Sequence, residues 1–117
     1  MTSSPAGAIP MKSEASLEAA SANAAAYGWY FRLIDGLVSA NRKAGLDETA
    51  AKRIAVSTLI AAGRVALEAQ RDGEEILESL ATPGGITTQG LAILEENDAF
   101  DPWSQAFEAV SDRLMSG

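Results

Sequence analysis

The stretch that most restricts the fold is a long apolar helix without a clear solvent face. Between Glu18 and Arg32 the sequence contains no charged residue. From the second half of this stretch onward, the large apolar side chains of the helix point to all of its sides. They are Tyr27, Trp29, Tyr30, Phe31, Leu33, Ile34, Leu37 and Val38. A helix on the surface of a monomer carries a single apolar stripe instead. The segment therefore predicts either a membrane span or a helix buried on every face by its own domain and a second chain.

Polar interruptions favour the second alternative. Asn23, Arg32 and Asp35 break the apolar run and leave it shorter than the roughly 18 uncharged residues of a membrane span. Arg32 and Asp35 are spaced for a local ion pair, and we do not interpret them as catalytic groups. A chain this small buries such a helix only with another copy, so we expect a homodimer or a higher oligomer and no membrane partner.

Composition indicates one all-α domain. The 117 residues are 47% hydrophobic, and no short window alternates as a strand would. The net charge of −7, without a Lys/Arg cluster, argues against nucleic acid as a partner. The absence of Cys and His excludes disulfides, Cys/His zinc sites and Ser-His-Asp catalysis, so we predict no metal site. Residues 1–11 do not resemble a secretory signal, and we expect a cytoplasmic protein.

Local signals predict about five helices over residues 13–117, after a linker or disordered tail at 1–12. Ser13 is the expected N-cap of the first helix, which runs to about Ala44 and ends on a left-handed Gly45. Asp47 starts the second helix, which continues to about Gln70.

The later helices have their own start signals. Asp72 and Glu75 form a capping-box pair for a short third helix that ends at Leu80. Asp101, as N-cap, and Pro102, as first helical residue, predict the start of the last helix. That helix carries an apolar face that we interpret as core or interface and not as a cofactor site, formed by Trp103, Phe107, Val110 and Leu114.

The loop before the fourth helix is the segment most like a ligand site. It reads Thr82-Pro83-Gly84-Gly85, and the paired glycines allow positive φ and close approach of a bound group. Thr87 or Thr88 is the expected N-cap of the helix that follows. Free N–H groups at a helix start bind small anions, including carboxylates. The alternative is a plain loop with a helix cap and no ligand.

The loop and the helices around it resemble the C-terminal domain of the pyrroline-5-carboxylate reductase family, over roughly Ser21 to Leu114. The family loop typically reads Ser-Pro-Gly-Gly-Thr-Thr and leads into a helix of the Gly-Leu-x-x-Leu-Glu-Glu kind. Residues 82–96 here read TPGGITTQGLAILEE. Ile86 replaces the first loop threonine, and Thr87 retains the second.

Two departures from the family pattern indicate a divergent member. The family's long helix opens roughly as Ser-Gly-Ser-Gly-Pro-Ala-Tyr, whereas residues 21–27 read Ser-Ala-Asn-Ala-Ala-Ala-Tyr. After the Leu-Glu-Glu element the family usually has Gly-Gly-Phe-Arg, whereas residues 98–101 read Asp-Ala-Phe-Asp. We predict a turn over residues 97–100.

The resemblance implies an all-α domain of two intertwined chains, in which the loop holds the carboxylate of a proline-like imino acid. The implied substrate-binding residues are Thr82, Gly84, Gly85, Thr87 and Tyr27. The loop N–H groups expected to hold the carboxylate are those of Gly84, Gly85 and Thr87. No catalytic, cofactor-binding or metal-binding residue is implied in this chain.

In complete enzymes of the family an N-terminal Rossmann domain brings NAD(P)H to the loop. This chain has no Gly-x-Gly-x-x-Gly after a strand, so we expect it neither to bind NAD(P)H nor to be active alone. The favoured function is the substrate-binding and dimerisation half of a reductase of the proline biosynthesis type. The alternatives are a purely structural dimerisation domain, or a module that binds a partner helix on the Trp103 face.

Overall fold

The structure is a computed structural model that describes residues 14–116, and for residues 16–114 their exposure as well. Within residues 14–116 it contains five helices and no strand, which confirms the all-α prediction. The helices are α1 (Glu14–Lys43), α2 (Glu48–Glu68), α3 (Gly73–Leu80), α4 (Ile86–Glu96) and α5 (Asp101–Ser116). The predicted tail at 1–12 and the predicted N-cap Ser13 lie outside the described residues.

The connection from α1 to α2 forms as its sequence predicts. Gly45 has a φ of +110°, the left-handed conformation expected of a glycine after a helix. Its N–H donates to the Arg42 carbonyl over 3.0 Å, and the Leu46 N–H donates to the Asn41 carbonyl over 3.2 Å. These two bonds make a Schellman motif. Asp47 then caps α2 by accepting the Ala50 N–H over 2.8 Å.

The start of α3 also confirms its prediction. The Asp72 carboxylate accepts the Glu75 N–H over 2.9 Å, and the Glu75 carboxylate accepts the Asp72 N–H over 3.4 Å. This reciprocal capping box satisfies two N–H groups that a helix start leaves without partners. The preceding helix, α2, ends at Glu68, slightly before the predicted Gln70.

A second Schellman motif ends α4. The Asp98 N–H donates to the Glu95 carbonyl over 3.1 Å, and the Ala99 N–H donates to the Leu94 carbonyl over 2.9 Å. Asp98 has a φ of +55° and is a non-glycine residue in the left-handed region. The next helix, α5, begins at Asp101 itself. The prediction of Asp101 as the N-cap and Pro102 as the first helical residue is therefore late by one position.

The chain divides into two compact units, and the first contains α1 up to Tyr30 together with α5. Its buried residues are the small Ala22 and Ala26 of α1. Aromatic rings join the two helices, because Trp103 meets Trp29 edge-on at 6.3 Å between ring centroids and stacks on Tyr30 at 6.0 Å. The apolar face predicted for α5 thus packs, at its Trp103 end, against the chain's own α1.

The second unit runs from Phe31 to Phe100 and contains the end of α1 with α2, α3 and α4. Its buried residues are again alanines, Ala51 and Ala55 of α2. The side-chain amide of Asn41 donates to the Ala51 carbonyl over 3.1 Å and ties α1 to α2. Small side chains let two helices approach closely enough for such a bond.

Large apolar side chains are not enclosed by a single copy of the chain. In the described residues the buried core consists of alanines, and no large side chain is fully buried. On α1 alone, six large apolar residues are exposed: Leu17, Tyr27, Tyr30, Phe31, Leu33 and Leu37. Across residues 14–116, no helix combines the length and the hydropathy that a membrane span needs.

The predicted Arg32–Asp35 ion pair is wrong. An ion pair forms instead between Arg42 and Glu48, whose Nη1 and Oε1 atoms are 3.2 Å apart. Residues three apart on a helix are neighbours, but an exposed pair gains little free energy and its side chains remain in solvent.

Candidate functional site

The loop between α3 and α4 is a tight turn built by proline and glycine. The Gly85 N–H donates to the Thr82 carbonyl over 3.0 Å, which closes a four-residue turn around Pro83 and Gly84. Gly84 has a φ of +75°. Proline at the second position and positive φ at the third are the signature of a type II turn. The glycine at position 84 is therefore required by the backbone.

Gly85 is required for a different reason, since Thr82 lies directly over it. A Cβ atom at position 85 would stand 2.6 Å from the Thr82 side-chain oxygen and 3.1 Å from the Thr82 carbonyl oxygen. The first distance is shorter than real Cβ contacts allow, and the second involves backbone. The two glycines of the loop therefore meet two separate demands, one on φ and one on space.

Gly85 is also the N-cap of α4, and this corrects the predicted capping. Its φ and ψ of −81° and 168° are extended, and no side chain caps the helix. Thr87 and Thr88 lie inside the first turn, because α4 already begins at Ile86. The prediction that Thr87 or Thr88 is the N-cap is therefore wrong. The N–H groups of Ile86 and Thr87 stand at the first two helical positions, where the helix itself supplies no acceptor.

The two adjacent threonines face different surroundings. Thr87 is exposed, and within the described chain its hydroxyl has no hydrogen-bond partner. Thr88 is half-buried, and its hydroxyl donates to the Thr82 carbonyl over 2.6 Å. Ile86, which precedes them, is 88% exposed. The start of α4 therefore presents the unbonded Thr87 hydroxyl, the apolar Ile86 side chain and backbone N–H groups that the helix leaves open.

The structure brings four of the five predicted site residues into this loop: Thr82, Gly84, Gly85 and Thr87. The Gly85 N–H was predicted to hold a ligand, but the turn already uses it. The carbonyl of Thr82 is also engaged, by Gly85 and by Thr88. The fifth residue, Tyr27, lies on α1 in the first unit with 64% of its surface exposed.

The hydrogen bond from Thr88 to Thr82 is the contact in this region that the sequence pattern does not predict. A threonine in the first turn of a helix is common and normally bonds a carbonyl three or four residues earlier or faces solvent. The bond to residue 82 spans six positions and exists only because the turn folds Thr82 back over the start of α4. No local sequence signal marks such a contact.

The described part of the chain also lacks any group of three or more acidic residues arranged to hold a metal ion. At the start of α4 the loop offers backbone N–H groups of the kind that stabilise small anions, and Thr87 carries a hydroxyl at the same helix end.

Comparison with known proteins places these features in a family. A family model described as pyrroline-5-carboxylate reductase dimerisation matches residues 14–116. Pyrroline-5-carboxylate reductase 3 from Danio rerio is 35% identical over 81 residues, which make up 69% of this chain and 27% of that protein. Pyrroline-5-carboxylate reductase from Pseudomonas aeruginosa is 25% identical over 107 residues, 91% of this chain and 39% of that protein.

A solved structure agrees in fold. The crystal structure of Plasmodium falciparum pyrroline carboxylate reductase with NADP bound superposes with a TM-score of 0.80 at 24% identity. The superposition covers 86% of this chain and 41% of that protein. The chain thus spans between about a quarter and two fifths of the length of these relatives. Because the family match takes in all five helices and the loop before α4, the chain belongs to the pyrroline-5-carboxylate reductase dimerisation family.

Proposed function

We propose that this chain is the substrate-binding and dimerisation half of an NAD(P)H-dependent pyrroline-5-carboxylate reductase-like oxidoreductase. The observation that carries the proposal is the open start of α4. There the N–H groups of Ile86 and Thr87 and the Thr87 hydroxyl stand together in a loop that matches the family's. A carboxylate bound to these N–H groups is stabilised by the positive end of the helix dipole.

The ligand is a small cyclic imino acid with one carboxylate. The two N–H groups hold its charge, and the Thr87 hydroxyl accepts or donates one further hydrogen bond at the ring nitrogen or the carboxylate. Gly84 and Gly85 shape the turn, so their part in binding is geometric.

Dimerisation is the second half of the proposal. The exposed apolar side chains of α1 and α2, among them Leu33, Ile54 and Ile60, are suited to burial against a partner surface. A second copy of the chain supplies one, as the family's description states for its members. Burial of apolar surface lowers the free energy by about 25 cal/mol per Å². Burying these side chains against a second copy therefore stabilises the dimer.

In a complete reductase, the NAD(P)H cofactor is bound by a domain other than the one described by residues 14–116. The relative from Plasmodium falciparum has NADP bound, and this chain covers 41% of that protein. Hydride transfer is the chemistry of the nicotinamide, so this half positions the substrate and a dinucleotide-binding domain supplies the reductant. We expect no saturable binding of NADPH to this chain alone in a fluorescence titration.

Titration of the chain with L-proline, followed by NMR, tests the binding half. We expect Thr87→Ala to weaken proline binding at least about tenfold, equivalent to roughly 1.4 kcal/mol. Thr87→Ser keeps the hydroxyl and should restore most of the affinity. Because Thr87 is exposed and is not the cap, Thr87→Ala should change stability by less than about 0.5 kcal/mol.

The outcomes separate the first two of the three functions that the sequence leaves open, a substrate-binding half and a purely structural dimerisation domain. Shifts of the Ile86 and Thr87 amide signals that saturate with proline support the ligand site. A chain that dimerises but shows no saturable shift is a purely structural dimerisation domain. In a fusion to a Rossmann domain of the family, Thr87→Ala should lower kcat/KM by at least about tenfold while the dimer stays intact.

A further inference from the structure

We propose that Thr88 is a positioning residue, whose hydroxyl locks the loop so that the N–H groups of Ile86 and Thr87 point outward. The proposal rests on the function proposed above as far as the ligand is concerned. It also reassigns Thr82 from a ligand contact to part of the framework. We name the three residues that close on one another, Thr82, Gly85 and Thr88, the loop clamp.

The centre of the loop clamp is the carbonyl of Thr82, which accepts two hydrogen bonds. One comes from the Gly85 N–H over 3.0 Å and the other from the Thr88 hydroxyl over 2.6 Å. The second lies at the short end of the range for O–H···O bonds. A carbonyl oxygen has two lone pairs, so that of Thr82 is fully used within the protein. It is not available to a ligand.

The Thr82 side chain completes the loop clamp by packing over Gly85. Its oxygen stands only 2.6 Å from where a Cβ of residue 85 would lie. Backbone and side chain of Thr82 thus both face the start of α4. The bond from Thr88 then joins the residue before the turn to the first helical turn and closes a ring around Pro83 and Gly84.

The neighbouring threonine shows that the assignment is specific to one hydroxyl. Thr87 is exposed and its hydroxyl is unbonded, whereas Thr88 is half-buried and bonded inward. Adjacent helical positions point about 100° apart, so one hydroxyl faces the ligand side while the other faces the turn. The two threonines therefore differ in role: Thr87 contacts the ligand, and Thr88 holds the loop in place.

The hydrogen bond from Thr88 affects ligand affinity because it raises the fraction of molecules whose loop has the conformation that binds the ligand. The observed dissociation constant is the intrinsic constant divided by the fraction of loops in the competent conformation. Loss of the Thr88 hydroxyl leaves one lone pair of the Thr82 carbonyl free and opens the ring. The loop then samples other conformations, and the competent fraction falls.

The test compares Thr88→Val, which has the same shape without a hydroxyl, with Thr88→Ser, which retains it. Thr58→Val on the exposed face of α2 is the matched control for replacing a threonine. Two quantities are measured on the full chain: amide hydrogen exchange of Gly85 without ligand, and the dissociation constant for L-proline. We expect Thr88→Val to speed Gly85 exchange at least about tenfold and to weaken proline binding at least about threefold. Thr88→Ser and Thr58→Val should match the unsubstituted chain in both.

Each outcome is decisive. Unchanged Gly85 exchange in Thr88→Val overturns the loop clamp, whatever the proline affinity. Faster exchange with unchanged proline affinity overturns the positioning role. Faster exchange in a protein whose unsubstituted form does not bind proline supports the loop clamp as the device that holds the loop, and refutes the proposed function instead.

Discussion

The side-chain amide of Asn41 on α1 lies 3.1 Å from the carbonyl oxygen of Ala51 on α2 and donates a hydrogen bond to it. Ala51 is fully buried, so the bond forms at a point where α2 packs inside the unit. One polar contact, between residues ten positions apart, thus joins two long helices in a unit whose buried residues are alanines.

We expect Asn41→Ala to lower the free energy of unfolding by about 1 kcal/mol, because a part-buried hydrogen bond between helices is lost. The matched control is Asn23→Ala, whose amide bonds the Ala19 carbonyl within α1 and is exposed. That change should cost less than about 0.5 kcal/mol. Urea unfolding at one fixed protein concentration measures both, since the stability of a dimer depends on concentration. Equal effects would contradict a special role for Asn41.

Asp98 offers a test of backbone strain. Its φ of +55° suits glycine, which the family usually has at this point, better than a residue with a side chain. We expect Asp98→Gly to raise the unfolding free energy by about 0.5 kcal/mol, and Asp98→Ala to lower it by a similar amount because alanine adopts a positive φ less readily than aspartate does. Thermal unfolding of the two variants measures the difference. Destabilisation by glycine would show that the Asp98 side chain has another role.

The two glycines of the α3–α4 region should respond oppositely to alanine. Gly85→Ala places a Cβ 2.6 Å from the Thr82 side chain, so the turn must shift, and we expect about 1–3 kcal/mol of destabilisation. Gly90→Ala lies inside α4 with nothing within 4 Å, and should stabilise by about 0.5–1 kcal/mol through helix propensity. Denaturant titrations of both variants provide the comparison. A stabilising Gly85→Ala would mean that the turn differs from that described.

The aromatic contact in the first unit should be energetically coupled. Tyr30 and Trp103 stack at 6.0 Å between ring centroids with 25° between their planes. A double-mutant cycle of Tyr30→Ala and Trp103→Ala should give a coupling energy of about 1 kcal/mol. A second cycle that uses Tyr30→Phe instead of Tyr30→Ala keeps the aromatic ring, so its coupling energy should be close to zero. Zero coupling in the alanine cycle would leave the α5 face free for a partner helix.

The oligomeric state follows from the apolar surface of α1 and α2. We expect a stable homodimer by light scattering after size-exclusion chromatography at micromolar concentration. Ile60→Asp on α2, which is 52% exposed in one copy, should weaken the dimer at least about tenfold, whereas Ser57→Asp on the same helix should not. A monomeric unsubstituted chain would contradict the dimerisation half of the proposed function.

Helix ends were predictable because the groups that form them lie close together in sequence. Gly45 and Asp47 act on carbonyls or N–H groups at most five positions away, as do Asp72 and Glu75. Such contacts depend on local backbone geometry. Aspartate is favoured where a helix begins and glycine where one ends, so the residue types reveal the helix ends. The Pro-Gly-Gly turn belongs to the same class. Its two glycines were recognised, although their separate reasons, positive φ at 84 and crowding at 85, needed coordinates.

Two kinds of prediction failed. One needed the helix start to be located to within a single residue, and the other concerned exposed charged side chains that can pair with more than one neighbour. The start of α4 at Ile86, not after a threonine cap, moved Thr87 and Thr88 into the helix and changed the role of both. Arg32 and Asp35 had the spacing of an ion pair, but exposed charges gain too little from pairing for spacing alone to decide.

By itself, the sequence determined the all-α class, most of the helix boundaries and the family, because periodicity, caps and the loop motif are local and additive. Only the tertiary structure decided which carbonyl Thr88 bonds, which N–H groups of the loop stay open and where Asn41 joins α1 to α2. These contacts join residues that the folded backbone brings together. Their partners are set by three-dimensional packing, which no local pattern encodes.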